Sequence, residues 1–181
     1  MKRQIALLLL ALSAASADDR FWRDDQGNFV PNTETRSAID GFGGWLLVTS
    51  DADWKQKWET SPTKVPHFTE AHTVARGKHL FILTFVSGAK LNSAGEADVT
   101  CDIDVVRPDG SSSVHQVDAL CVRGHVWGVP TNLYLSRLTL DFVGEPSDPA
   151  GKWVVRITLK DNVRHVSLPL KTSFMLMEDK A

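Results

Sequence analysis

The chain has 181 residues, of which 43% are hydrophobic and 23% charged, and its formal net charge at pH 7 is −2. This length suits one domain with a core large enough to fold alone, and the sequence contains no repeat, low-complexity block or linker that would divide it. The absence of a basic excess argues against nucleic acid as a partner.

Residues 1–17 have the organisation of a secretory signal peptide. Two basic residues precede an apolar run at 5–12, and Ala15-Ser16-Ala17 is a small-x-small cleavage pattern. The apolar run is far shorter than the roughly 20 residues of a membrane-spanning helix. The sequence therefore predicts cleavage near Ala17 and a periplasmic or secreted protein that is not inserted in a membrane. The mature chain would begin near Asp18 with 18 basic against 22 acidic residues, a net charge of −4.

Residues 18–40 mix charged side chains with Asn, Gly and Pro and follow neither the helical nor the strand period, which predicts an extended N-terminal arm. The aromatic residues of this arm, Phe21, Trp22 and Phe29, either dock it onto the domain or offer an aromatic patch to a partner. The remaining residues, 41–178, are predicted to form a single domain.

A short helix is predicted at about 51–60, where Pro62 ends it. Its residues Trp54 and Trp58 are four positions apart and therefore lie on one face. That face either plugs an open end of the domain or forms a platform for a sugar.

Alternation of apolar and polar residues predicts that most of the chain is β-strand. In the clearest case, Trp153 and Val155 lie on one side of an extended chain and Arg156 on the other. The run HLFILTFV, residues 79–86, is apolar on both faces and predicts a central strand that is covered above and below. The predicted strands lie near residues 45–49, 79–87, 99–106, 114–122, 133–143, 152–160 and 165–177.

The C-terminal strands carry a further pattern. Pro149 and Gly151 precede the aromatic Trp153, and Asp161-Asn162 turns the chain after the strand. This arrangement resembles the penultimate-strand pattern of bacterial immunoglobulin-like domains, in which Gly-x-aromatic leads into the central strand. The resemblance implies an all-β fold, an antiparallel immunoglobulin-like β-sandwich of about seven or eight strands. It implies no activity.

The two cysteines are predicted to form a disulfide between neighbouring strands. The turn at Pro108-Asp109-Gly110 joins two strands with one apolar face each. A register in which paired residue numbers add up to 222 places Cys101 opposite Cys121 and matches those two faces. In an exported chain this placement favours a cross-strand disulfide. A redox couple or a ligand pair would be expected to have the closer CxxC spacing.

The same register predicts a crowded acidic face. It places Asp104 opposite Asp118, with Asp102 two residues along the strand. Like charges directly across a ladder are unfavourable. The face is therefore either a solvated acidic surface or a site for a divalent cation or a basic partner surface.

Three histidines, His67, His72 and His79, raise the question of a zinc or copper site in a secreted chain. Their spacing fits neither a single helix nor a tight turn, and no cysteine is close in sequence. They are therefore weak candidates for metal ligands. The sequence indicates no cofactor other than a divalent cation at one of these two places.

No nucleotide-binding loop, zincin helix, nucleophile elbow or paired-carboxylate motif is present in the sequence. The serines at 111–113 beside His115 lie at a predicted hairpin tip, where nothing would exclude water. The sequence therefore predicts a protein without catalytic activity.

By elimination, the sequence favours a small exported protein-binding module, such as an inhibitor, an immunity-type protein or an envelope accessory protein, whose partner is another envelope or extracellular protein. The alternative is a ligand-binding sandwich for a divalent metal or a carbohydrate. A third interpretation, a fibre subunit or chaperone that adds a strand to a partner, would need an alternating apolar segment that residues 18–40 lack. The oligomeric state is left open. The candidate aromatic contact residues are Trp22, Trp54, Trp58 and Trp127.

Overall fold

The structure, a computed structural model, describes residues 20–24, 26–60, 66–126, 128–129 and 131–178. This part of the chain forms nine strands and one short helix. The predicted signal peptide lies outside these residues. Helix α1 spans Trp54–Trp58. The strands are β1 (Arg36–Ile39), β2 (Phe42–Thr49), β3 (Thr73–Val74), β4 (His79–Ser87), β5 (Glu96–Val106), β6 (Ser112–His125), β7 (Tyr134–Val143), β8 (Gly151–Asp161) and β9 (Val166–Leu176).

The strands form two sheets that pack face to face. The four-stranded sheet has the order β1-β2-β4-β7, and the five-stranded sheet has the order β3-β9-β8-β5-β6. All neighbours are antiparallel except β3, which runs parallel to β9. The predicted β-sandwich is confirmed. Among the described residues, no helix has the length and apolar character needed to span a membrane.

Two strands were not predicted, so the count rises from seven or eight to nine. Strand β1 lies within the predicted arm and pairs with β2. Asp40 and Gly41 join the two strands with φ values of 50° and 76°, the backbone of a tight hairpin turn for which Asp-Gly is a favoured sequence. Strand β3 contains only two residues, too few to show alternation.

Phe21 docks the N-terminal arm onto the sandwich. A Cβ atom at Gly43 would lie 2.3 Å from the Phe21 ring, and one at Gly88 would lie 3.3 Å from it, so glycine at Gly43 makes room for the ring. Phe29 is 47% exposed, and the Arg23 guanidinium lies 3.8 Å from its ring centre. Phe21 therefore docks the arm onto the domain, the first of the two interpretations of the arm's aromatic residues, whereas Phe29 remains on the surface.

The register predicted for β5 and β6 is wrong. Cys101 pairs with Ala119 and Asp104 with His115, because β6 contributes 14 residues against 11 from β5 and the pairing shifts at three irregularities. One irregularity includes Asp118, whose φ is 53°. The disulfide is nevertheless confirmed, with 5.9 Å between the Cα atoms of Cys101 and Cys121. Both side chains face the core, and this separation suits a disulfide.

One lateral edge of the sandwich is closed by backbone hydrogen bonds from a segment that runs between the sheets. Leu46 N of β2 donates to Thr35 O, and Lys171 N of β9 donates to Glu34 O, each at 2.7 Å. The Lys171 ammonium also lies 3.0 Å from the Glu34 carboxylate. Residues 34–35 therefore join the two sheets at this edge.

Asp161, only 1% exposed, organises one end of the sandwich. Its carboxylate accepts the backbone N–H groups of Lys90 at 2.8 Å and Arg164 at 2.9 Å. The Arg164 guanidinium, 3.4 Å from the same carboxylate, donates to the carbonyls of Asp40 at 2.7 Å and Gly88 at 2.9 Å. This network fixes the β8–β9 hairpin to the β1–β2 turn and to the end of β4.

Replacing this buried carboxylate is expected to destabilise the protein strongly. Asp161→Ala removes the acceptor of these backbone donors and leaves Arg164 without its counter-ion, so we expect a loss of about 3 kcal/mol in the free energy of unfolding. The control is Asp109→Ala, which removes an exposed carboxylate that accepts the Ser111 N–H at 2.8 Å. Urea denaturation checks the prediction. An equal decrease in the free energy of unfolding in the two variants would contradict it.

Candidate functional site

The outer face of the four-stranded sheet is apolar because β4 is apolar on both sides. Leu80 and Ile82 point into the sandwich core, whereas Leu83 and Phe85 belong to a second cluster on the opposite face. β4 lies between β2 and β7, which confirms the predicted central strand. The second cluster also includes Leu47 and is packed against by Trp45, Trp54, Trp58, Phe68, Phe81, Leu133 and Leu135.

Part of this second cluster is open to solvent and forms a groove of about 880 Å³, here called the aromatic groove. Its described apolar lining is Trp45, Leu47, Trp58, Pro66, Phe68, Phe85 and Leu133. Its described polar lining is Thr60, His67, Glu70 and Asn132. A volume of this size, mainly apolar with a few polar groups, is typical of ligand sites.

Phe85 forms the floor of the aromatic groove and three rings surround it. Phe85 is 0% exposed. The Trp45 ring stacks on it with a centroid distance of 5.2 Å and an interplanar angle of 28°. The rings of Trp58 and Phe68 lie at 5.2 Å and 6.1 Å from it in tilted orientations. The three surrounding rings are half-buried and therefore keep some of their surface in the groove.

Helix α1 covers part of this outer face, so the predicted plug at an open end of the sandwich is wrong. Trp54 contacts Phe81 with a centroid distance of 6.1 Å, and Trp58 contacts Phe85. Both phenylalanines belong to β4. The helix is shorter than the predicted 51–60, and of its two tryptophans Trp58 lines the aromatic groove.

Asp51 holds two walls of the aromatic groove together. Its carboxylate lies 2.8 Å from the ammonium of Lys57 on the helix and accepts the Thr69 N–H at 2.8 Å. Lys57 is next to Trp58 in sequence, and Thr69 is next to Phe68. Burial raises the pKa of the Asp51 carboxyl, but the hydrogen bonds from Lys57 and Thr69 outweigh it and hold that pKa below its usual value.

Loss of the Asp51 carboxylate is expected to loosen the groove. Asp51→Ala should lower the free energy of unfolding by about 1–2 kcal/mol, because a charge-assisted pair and a backbone acceptor are lost together. Asp53→Ala is the matched control, since Asp53 also lies near Lys57, at 3.2 Å, but is 55% exposed. Tryptophan emission and thermal melts report the effect. If Asp53→Ala lowered the free energy of unfolding as much as Asp51→Ala does, the role of Asp51 in holding the groove walls together would be refuted.

The outer face of the five-stranded sheet is charged, and the carboxylates of β5 and Asp118 on it have partners. The Lys160 ammonium lies 2.7 Å from the Asp102 carboxylate and 2.8 Å from that of Asp118. Asp104 does not face Asp118 as predicted. Its carboxylate lies 2.6 Å from His115 Nδ1, and its other cross-strand partner is Arg156. A cation between Asp102 and Asp118 would compete with the ammonium of Lys160.

The pKa shifts in this network define the pH range over which it stabilises the protein. Burial raises the pKa of the Asp102 carboxyl, but the hydrogen bonds from Lys160 and from the Asp118 N–H outweigh it and hold the pKa below the ordinary 3.8. Hydrogen bonds to Asp102 and Asp118 raise the pKa of Lys160 above the ordinary 10.5. The stabilisation is therefore fully present between pH 3.8 and 10.5.

We expect Lys160→Met to lower the melting temperature within that pH range, because the Asp102 and Asp118 carboxylates would then repel each other. The difference from wild type should shrink as the pH falls through the low pKa of Asp102, and as added salt screens the repulsion. Lys160→Arg, which keeps the charge, is the control. A difference that is independent of pH and salt would show that the network does not act electrostatically.

The three histidines do not come together. His67 lines the aromatic groove, and His79 Nδ1 lies 2.9 Å from the Asp141 carboxylate. His72 is exposed beside β3. In the described part of the chain, no group of three or more His, Cys, Asp or Glu side chains could hold a metal ion.

Of the other predicted aromatic contacts, Trp22 lies outside the groove and Trp127 lies outside the described residues. The Trp22 ring packs edge-on against Phe21 at 5.1 Å. Sequence reasoning missed Trp45, Phe68, Thr60, Glu70 and Asn132, and it named His67 only as a weak candidate for a metal ligand. The run at 79–86 could have predicted part of the aromatic groove, because a strand that is apolar on both faces requires a cover on each face.

No protein-family model and no curated protein matches this sequence. Several solved structures, including the following three, are distantly similar to this chain. A family 123 glycoside hydrolase from Clostridium perfringens has a TM-score of 0.40 and 9% identity over 74% of this chain, which spans 27% of that protein's length. A CARDB domain from Pyrococcus furiosus, in complex with di-metal ions, has a TM-score of 0.36 and 10% identity over 74% of this chain and 89% of that one. A Niemann-Pick type C2 protein from Japanese carpenter ant has a TM-score of 0.35 and 9% identity over 73% of this chain and 89% of that one. Similarities at this level carry no argument about function.

Proposed function

We propose that this protein is an exported, non-catalytic binding module and that the aromatic groove is its ligand site. The observation that carries the proposal is the set of three half-buried rings, Trp45, Trp58 and Phe68, around the fully buried Phe85. Apolar side chains are normally removed from water in a core, and a ligand that covers these rings would complete their burial.

The chemistry of the groove suits a saccharide. The flat faces of tryptophan and phenylalanine can contact the C–H faces of sugar rings, with about 25 cal/mol gained for each Å² of apolar surface removed from water. The polar lining supplies what sugar hydroxyls need. The Glu70 carboxylate accepts hydrogen bonds, and the Asn132 amide both donates and accepts them.

The charges of the groove indicate an uncharged or amino sugar rather than an acidic one. Glu70 is the only acidic side chain among the described lining residues, and that lining includes neither lysine nor arginine. A uronic acid or sulfated sugar would bring its negative charge near Glu70, and the described lining offers it no lysine or arginine. We therefore expect neutral oligosaccharides to be the preferred ligands.

The proposal is tested by calorimetric titration of the mature protein with neutral and acidic oligosaccharides. Trp58→Ala should weaken binding of a neutral oligosaccharide about tenfold, which corresponds to about 1.4 kcal/mol of lost ring contact. Trp54→Ala is the matched control because Trp54 lies on the same helix but packs on Phe81 outside the groove.

Three results would contradict this assignment. The first is no saturable binding of any neutral oligosaccharide by the wild-type protein. The second is equal affinity for neutral and acidic oligosaccharides. The third is a loss in Trp54→Ala as large as that in Trp58→Ala with both variants folded.

A second candidate function, recognition of another envelope protein, is favoured by a separate surface. Met175 and Met177 at the end of β9 are 39% and 47% exposed and line a shallow cleft of about 620 Å³ with Leu176. Exposed methionines adapt to partner surfaces. If this surface binds a protein, Met177→Glu should abolish copurification from an envelope extract, and Val129→Glu, a control at a 58% exposed position, should not.

A further inference from the structure

The aromatic groove contains a carboxylate that has no partner in the described part of the chain. Glu70 is exposed, and its carboxylate makes neither a hydrogen bond nor an ion pair with the described residues. An isolated antiparallel bridge between Glu70 and Thr49 holds this segment beside β2. Phe68 lies two residues earlier in the segment, and both Phe68 and Glu70 line the groove. The groove therefore combines aromatic rings with an unpaired negative charge.

The aromatic rings of the groove are inclined to its floor at different angles. The plane of the Trp45 ring makes an angle of 28° with that of the buried Phe85 ring. The corresponding angles are 52° for Trp58 and 42° for Phe68. The face of an aromatic ring carries partial negative charge and attracts cations. Several non-parallel rings around one space are an arrangement that proteins use to recognise quaternary ammonium groups.

Lysine and arginine side chains occur on the elements around the groove but not in its described lining. The ammonium of Lys57 on helix α1 lies 2.8 Å from the Asp51 carboxylate. The guanidinium of Arg36 on β1 lies 5.8 Å from the centre of the Trp22 ring, which is outside the groove. Arg137 of β7 is exposed and does not line the groove. None of these three cations is therefore a lining residue that would compete with a ligand cation for the groove rings.

We propose that the aromatic groove also binds a small trimethylammonium compound with an uncharged substituent, of which choline is the simplest example. The methylated cation lies among the rings of Trp45, Trp58 and Phe68, and the Glu70 carboxylate balances its charge. This inference rests on the proposed function only in taking the aromatic groove as the ligand site. A phosphocholine head group fits less well, because its phosphate would add negative charge near Glu70 and the described lining offers it no lysine or arginine.

The test is NMR titration of the mature protein with choline and with 3,3-dimethyl-1-butanol, its uncharged carbon analogue of the same shape. Ionic strength is held constant, and the pH is about 8, where imidazole is neutral in water. Choline should shift the indole N–H signals of Trp45 and Trp58 and bind about tenfold more tightly than the uncharged analogue, because only choline attracts the ring faces and Glu70 electrostatically. Phosphocholine should bind at least about threefold more weakly than choline.

Removing the charge of Glu70 separates electrostatic attraction from shape. Glu70→Gln should weaken choline binding about threefold, the effect of losing one exposed charge pair, and should leave binding of 3,3-dimethyl-1-butanol unchanged. Glu59→Gln is the matched control because Glu59 is exposed and follows Trp58 in sequence but does not line the groove. Both substitutions are at exposed positions, so both variants should fold as the wild type does.

Any of four results would overturn this inference. These are no saturable shift of the Trp45 and Trp58 signals with choline, equal affinity for choline and its uncharged analogue, equal affinity for choline and phosphocholine, and a Glu59→Gln effect on choline binding as large as that of Glu70→Gln.

A parallel titration with a neutral oligosaccharide separates this inference from the proposed function. Oligosaccharide binding without choline binding would refute the trimethylammonium site and leave the saccharide assignment in place. Choline binding without oligosaccharide binding would support the trimethylammonium site and refute the saccharide assignment. Binding of neither would refute both.

Discussion

The arrangement of this protein depends on one constraint, which is that β4 must be covered on both faces. Its inward residues, such as Leu80 and Ile82, are covered by the five-stranded sheet. In the described part of the chain no third sheet covers its outward residues, such as Leu83 and Phe85. The chain covers them with helix α1 and the segment around Phe68, and because this cover is small it leaves the aromatic groove beside it. The candidate site thus follows from the hydrophobic pattern of one strand.

The two outer faces of the sandwich meet water in different ways. On the five-stranded sheet, carboxylates alternate with buried residues along β5 and are matched by cations such as Lys160 and Arg123. These carboxylates therefore already have partners within the protein. On the four-stranded sheet, rings such as Trp45 and Trp58 are only partly covered by the described part of the chain. The difference explains why we place ligand binding on the four-stranded sheet.

The sequence predicted the strands well because alternation is a local signal that each strand carries by itself. It predicted the disulfide from a register that proved wrong, and the bond forms nevertheless because both cysteines face the core and their Cα atoms lie 5.9 Å apart. It failed on the pairing of β5 with β6, because the extra residues of β6 leave the alternation of each strand readable but change which residues face each other. The crowded acidic face depended on that pairing and was lost with it.

The candidate site was predicted only in part, through Trp58 on the short helix. Its other rings, such as Trp45 and Phe68, come from segments far apart in the sequence, and each one alone looks like an ordinary core residue. Asp51, which holds the walls in place, lies at a position where the sequence predicts only the start of the short helix. Long-range convergence of this kind has no local pattern, so it becomes visible only when the fold is known.

The central claim is that Trp45 and Trp58 share their remaining surface with a ligand, and indole NMR tests it most directly. Titration with a neutral oligosaccharide should shift the indole N–H signals of Trp45 and Trp58. It should leave the signal of Trp153 in place, because Trp153 is 1% exposed and its indole N–H donates to Pro149 O at 3.1 Å. Unchanged Trp45 and Trp58 signals at concentrations where binding is otherwise detected, or shifts confined to Trp153, would contradict the account.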